Sequence, residues 1–241
     1  TLSFTSALTS NDTIDFVILL GNVLDIGTPS DATVTNAKLA QDIISGETEL
    51  AAIPDTTDEF LISNAGVLNR IDAQFFQNTP AFEAYLAADG GQGVSDATTT
   101  TVAIETEIFD AGGCFNNTGG SVALNGISVP AYSFLPNVAG KYFVYGGILT
   151  DTGTNSNIEY VDIFLYDEAD NVISQTRDNF LSNPIRQSFV QIQSVIDMDG
   201  TSNAVYLRGR INSTDGNGQL FEAYPQWRRG TYFGAYKIIG A

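Results

Sequence analysis

The chain has 241 residues, 43% hydrophobic and 11% aromatic, which is ample apolar material for a packed core. Its 28 acidic residues against 10 basic ones leave a net charge of -18, which repels nucleic-acid phosphates and anionic membrane surfaces. With no His and a single Cys, Cys114, the chain excludes a Ser-His-Asp triad, a Cys-His dyad, a His- or Cys-based zinc site and an internal disulfide.

No catalytic residue, cofactor or metal is therefore expected. Nor is membrane insertion, because the longest early apolar run, FVILLGNVL, is broken by Gly21 and Asn22 and falls far short of the roughly 20 residues a span needs. A lone Cys fits assembly in a reducing compartment, and Cys114 in AGGCFNN reads as a small buried apolar residue.

In chain order, residues 1–32 read as the end of a small β module. Runs Leu2–Leu8 and Thr13–Leu20 are strand-like, TSND joins them and GTPSDAT closes them. Because TLSF is already strand-like, the numbering is expected to begin inside a longer or processed polypeptide. Residues 33–78 read as a linker. Thr33 or Thr35 caps one or two helical turns that Gly46 stops, and EFLIS and VLNRIDAQFF flank an Asn64-Ala65-Gly66 turn as a β-hairpin. Such small pieces need neighbouring copies to bury their apolar faces.

From residue 79 to 241 the pattern is dense all-β: AFEAYL, TTTVAIETEIFD, AYSFLP, KYFVYGGIL, IEYVDIFLYD, NVISQTR, RQSFVQIQSVI, NAVYLRGRI, QLFEAY and TYFGAYKII, separated by Gly, Asn, Asp and Pro turns. This spacing predicts a sandwich or jelly roll. IEYVDIFLYD carries large apolar groups on both faces, unlike a strand with one wet side.

These segments resemble the trimeric jelly-roll heads of the complement globular-head and tumour-necrosis-factor superfamily. FEAYL is similar to its first strand. Phe109 and Asp110 precede a Gly turn and Phe115, and Phe134, Pro136, Gly140, Tyr142 and Phe143 follow the family's Phe-x-Pro-x-x-x-Gly-x-Tyr-aromatic order. TYFGAYKI resembles its closing strand. The segment GGSVALNGISVPA is an insertion relative to that pattern, and no collagen-like repeat precedes the head. The resemblance implies an all-β jelly-roll sandwich forming a homotrimer, with Tyr232, Phe233 and Tyr236 of the last strand at the trimer interface.

A second resemblance covers residues 33–76. VTNAKLAQDIISGETEL and the DEFLIS hairpin look like the module strings of tail-fibre proteins of bacterial viruses, which implies a virion protein with a small β module and fibre-like linker ahead of the head. The expected partners are further copies of the chain, other tail or capsid proteins on the N-terminal side, and a host surface glycan or protein; no nucleic acid is expected. Loops at the end of a rigid sandwich are the natural binding elements. TDTGTNSN offers Asn155 and Asn157, NSTDGNGQ offers Asp215 and Asn217, and YPQWRRG sets Trp227 beside Arg228 and Arg229, a stacking face with planar donors.

Two other functions compete: a decoration subunit with no receptor role, and a polysaccharide depolymerase using Glu105 and Glu107, two residues apart on one strand. Closely spaced carboxylates in DMDGT and DEADN invite a calcium reading. An EF-hand is excluded there, since Arg208 falls where a bidentate Glu is required, and Asp167, Asp170, Asp197 and Asp199 read as turn residues.

Overall fold

A computed structural model describes residues 9–11, 13, 44–52, 54–55, 57–87, 90–152, 157–216, 220–223 and 230–239. The chain divides into two compact units, Thr1–Ile53 and Pro54–Ala241. Of the β module expected over residues 1–32 only Thr9–Asn11 and Thr13 are described, with a turn at Ser10 and Asn11 in the expected TSND connection, and most of the helical turns expected after Thr33 lie outside the described residues. Of the latter, a turn remains at Gly46, closed by the Glu47 N–H on the Ile44 carbonyl. No helix among the described residues is long and apolar enough to cross a membrane.

The second unit opens with the expected hairpin, which shares this unit with the head. Strands β1 (Glu59–Asn64) and β2 (Val67–Asp72) pair around Ala65 and Gly66, whose positive φ values of 51° and 87° make a two-residue turn matched to strand twist. A single 3-10 turn, Ala73–Phe75, leads out of it.

The head follows with β3 (Ala81–Tyr85), β4 (Gln92–Gly93), β5 (Thr100–Thr101), β6 (Thr106–Ala111), β7 (Val122–Leu124), β8 (Ile127–Val129) and β9 (Ser133–Phe134). It continues with β10 (Gly140–Asp151), β11 (Ile158–Asp167), β12 (Val172–Asn179), β13 (Gln187–Met198), β14 (Val205–Ser213), β15 (Leu220–Phe221) and β16 (Tyr232–Lys237).

A front sheet runs β13-β10-β16-β3-β6, with β15 continuing along β10 beyond β16 and β4 beside β15. A back sheet runs β12-β11-β14-β5, and β9 also pairs with β14. Every pairing is antiparallel, and most neighbours are far apart in sequence, so the chain crosses repeatedly from sheet to sheet. The fold is an all-β jelly-roll sandwich.

Alternation builds the core. On β16, Phe233 and Ala235 point between the sheets; on β10, Tyr142, Val144 and Ile148 do so; on β11, Val161, Ile163 and Leu165 meet them. The Phe82 ring lies 4.2 Å from Phe115 in a stack and 5.1 Å from both Phe134 and Phe233. Tyr142 is buried with its hydroxyl donated to the Val138 carbonyl at 2.7 Å, so the aromatic motif read from the sequence is mostly core. The insertion GGSVALNGISVPA forms the small hairpin β7–β8 about an Asn125-Gly126 turn.

Asp110 shows why the motif wants an acid there. Its carboxylate accepts the N–H groups of Cys114 at 2.9 Å and Phe115 at 3.2 Å, closing a turn in which Gly112 and Gly113 have φ of 110° and 58°. Cys114 is buried and donates its thiol to the same carboxylate; burial, then the Asp110 charge, push that thiol far above its ordinary range. It is a packing residue with no available thiolate.

The two ends of the sandwich differ. At one, β3 begins, β16 ends and β10 starts at Gly140. At the other lie the ends of β10 at Asp151 and β14 at Ser213 and the start of β13 at Gln187. The 12 residues of β10 span roughly 35–40 Å between them.

Candidate functional site

The outward face of the front sheet is aromatic. Phe143 and Tyr145 stand on β10, Tyr232 and Tyr236 on β16, Phe189 and Val195 on β13. Ring centroids form a chain: Phe143 lies 5.9 Å from Tyr145 and 5.5 Å from Tyr236, and Tyr232 lies 6.2 Å from Tyr145 and 6.3 Å from Phe189. Phe143, Tyr145 and Tyr232 are half-buried against their neighbours, while Phe189, Val195 and Tyr236 are exposed, Tyr236 at 40% and Val195 at 54%.

Glycine makes room for them. A Cβ on Gly234 would sit 2.5 Å from the Tyr145 ring, and one on Gly147 would sit 2.9 Å from the rings of both Phe189 and Tyr232. The rings therefore lie across bare backbone, which explains the aromatic-Gly-aromatic pattern of TYFGAY. Two hydrogen bonds fix their tilt: Tyr145 donates to Glu83 at 2.9 Å, and Gln191 Nε2 donates to the Tyr232 hydroxyl at 2.6 Å. Burial, then the bond to Glu83, push the Tyr145 phenol up.

Tyr232 and Tyr236 thus sit on the face expected of interface residues. Phe233 does not, and that expectation is corrected: it is fully buried against Phe82 inside the protomer, because successive residues of a strand point to opposite sides. The other residues of this face, Phe143, Tyr145, Phe189 and Val195, carried the same period-two signal within KYFVYGGIL and RQSFVQIQSVI.

The back sheet is closed off differently. Asp162 points outward from β11 yet is buried beneath Arg177 and Arg210, which stack beside Tyr160 with guanidinium carbons 4.5 and 5.6 Å from its ring centre. Arg208 covers Tyr166 and Tyr206 at 4.4 and 4.9 Å and bonds Asp170 at 2.9 Å. This lattice hides the apolar outer residues of IEYVDIFLYD, with Phe164 among them.

Of the loop residues, Trp227, Arg228, Arg229, Asn155 and Asn217 lie outside the described residues. Asn157 and Thr214 join the two loops they flank: the Asn157 N–H donates to Thr214 Oγ1 at 3.2 Å, and the Thr214 N–H to the Asn157 carbonyl at 2.9 Å. Asp215 follows directly. Asp96 accepts the Ser213 N–H at 2.9 Å, so the segment before β5 shares that end.

The acidic turns are spent locally. Asp199 accepts the N–H groups of Thr201, Ser202 and Asn203 and the Ser202 hydroxyl, which hold its carboxyl far below the ordinary range. Asp167 accepts the N–H groups of Ala169 and Asn171, and Asp197 pairs with Lys141 at 2.6 Å. Glu105 accepts the Ala87 N–H at 3.1 Å, while Glu107 stands largely exposed on β6, its carboxyl raised by partial desolvation and then by the Asp110 charge. Among the described residues no group of three or more Asp, Glu, His or Cys is placed to hold a metal.

No family model matches the chain, and no curated protein matches it. Among solved structures, murine APRIL at pH 5.0 is similar over 66% of this chain and 98% of its own, at 11% identity and a TM-score of 0.42. The jelly-roll assignment rests on the strand order described above.

Proposed function

We propose that this chain is a non-catalytic fibre subunit whose jelly-roll head assembles as a homotrimer through the aromatic face of the front sheet, and whose far loop end binds a cell-surface receptor, with a glycan favoured. The aromatic face carries the reading. A chain of net charge -18 that leaves a connected band of Phe, Tyr and Val uncovered has surface to bury against another protein. The polarity of the sandwich agrees: the chain enters at the Gly140 end, and Asn157 and Thr214, each flanking a loop, meet at the other, as an end-on reader requires.

In this reading the protein belongs to a virion, specifically the fibre of a bacterial virus; support for that setting is the sequence of residues 33–76 alone. Residues on the N-terminal side attach to other virion proteins. No chemistry is assigned to Glu105 or Glu107.

Light scattering on the full chain tests the assembly, with a particle three times the 25.8 kDa chain mass expected. A monomer at micromolar concentration would remove the reading. Receptor binding is tested by competition: purified chain should block adsorption of the particle that carries it. Assembly on particles without binding to cells would favour the decoration role instead.

A further inference from the structure

We propose that the β1–β2 hairpin is a second self-association element, in which each copy's hairpin is clasped between the hairpins of two others to form a ring at the base of the head. This rests on the self-assembly proposed above but on different residues. A lone two-stranded hairpin is marginal in water, and this one leaves apolar side chains exposed on both sides.

The register separates the sides. Leu61 and Leu68 share one with the Arg70–Glu59 ion pair, the leucines 71% and 66% exposed; Phe60 and Val67 share the other, with Val67 63% exposed and Phe76 packed on Phe60 at a centroid distance of 5.5 Å. A two-fold pair would cover one patch per copy. Two different apolar patches on opposite sides are what a closed head-to-tail ring uses, each copy offering one patch forward and the other back.

The occupant is a further copy of this chain because the hairpin is continuous with the aromatic face. The 3-10 turn leaving β2 is held to β16: the Lys237 N–H donates to the Asn78 carbonyl at 3.2 Å, and its ammonium lies 5.9 Å over the Phe75 ring. Lys237 directly follows Tyr236. Copies brought together by that face bring their hairpins to the same level.

The test uses the full chain carrying Leu61→Cys and Val67→Cys, one thiol per side, with Cys114 buried and silent. A short bis-maleimide should give covalent trimers on a denaturing gel, and each single variant should give monomers. Hydrogen exchange on the unaltered chain should show the β1 amides about 100-fold or more protected and that protection falling on dilution, unlike the nearly unprotected amides of a frayed hairpin. A chain that is trimeric by light scattering but gives no cross-linked species and shows unprotected β1 amides would overturn this inference while leaving the head assembly standing. A monomer would overturn both.

Discussion

Asp162→Ala should be the most costly substitution of a charged residue in the head. The carboxylate is buried and accepts hydrogen bonds from Arg177 at 2.6 and 2.9 Å, Arg210 at 2.8 and 2.7 Å and Gln175 at 2.9 Å. Removing one member of a buried ion network costs about 3–5 kcal/mol, because the partner charges are stranded. Here the arginines are 42% and 25% exposed, so water recovers part of that, and about 3 kcal/mol is expected. At roughly 2–4 °C per kcal/mol for a unit of this size, Tm should fall by about 6–12 °C.

The pH dependence has a definite sign. Burial pushes the Asp162 carboxyl up, but the bonds from Arg177, Arg210 and Gln175 outweigh it and hold the group below its ordinary value of 3.8. A depressed folded-state value stabilises fully above the unfolded value and is lost as pH falls through the folded one. The gap between parent and variant should therefore be constant near neutrality and shrink below about pH 4. Urea unfolding followed by circular dichroism, at matched chain concentration from pH 3 to 7, measures both quantities. A variant within about 0.5 kcal/mol of the parent at pH 7 would refute the reasoning and reduce the lattice to surface decoration.

Three further outcomes are expected. Ala65→Asn should stabilise the β1–β2 hairpin by about 1 kcal/mol, read as slower hydrogen exchange of β1, since Ala at a φ of 51° carries strain that Asn-Gly turns avoid. Gly234→Ala should tilt Tyr145 off the sheet and weaken self-association about tenfold or more, by analytical ultracentrifugation, because its Cβ would lie 2.5 Å from that ring. Cys114 should resist thiol reagents in the native protein and react completely in denaturant, as befits a buried thiol with a raised pKa.

Much of the head was legible because the strands carry their own punctuation. IEYVDIFLYD is β11 without adjustment, and RQSFVQIQSVI alternates so cleanly that its buried Val190 and Ile192 follow from period two. TTTVAIETEIFD was less legible. It reads as one strand but divides into β5 on the back sheet and β6 on the front, with Val102 and Ile104 buried between them; local pattern does not mark a change of sheet. The dryness of Asp162 and Phe164 could not be foreseen either, since their cover comes from arginines on β12 and β14, neighbours only in the folded chain. In the candidate site, the resemblance put Tyr232, Phe233 and Tyr236 on one surface, where simple alternation turns Phe233 into the core and leaves Tyr232 and Tyr236 outward.

The rings stand across the outer face of the front sheet, whereas Asn157 and Thr214, which flank two loops, meet at the end of the sandwich where β10 and β14 finish. Substitutions, insertions or whole grafts at those loops leave Gly147, Gly234 and the rings untouched. Under the function proposed above, what the head recognises can thus be rewritten, by selection or by design, on a platform whose stoichiometry does not change.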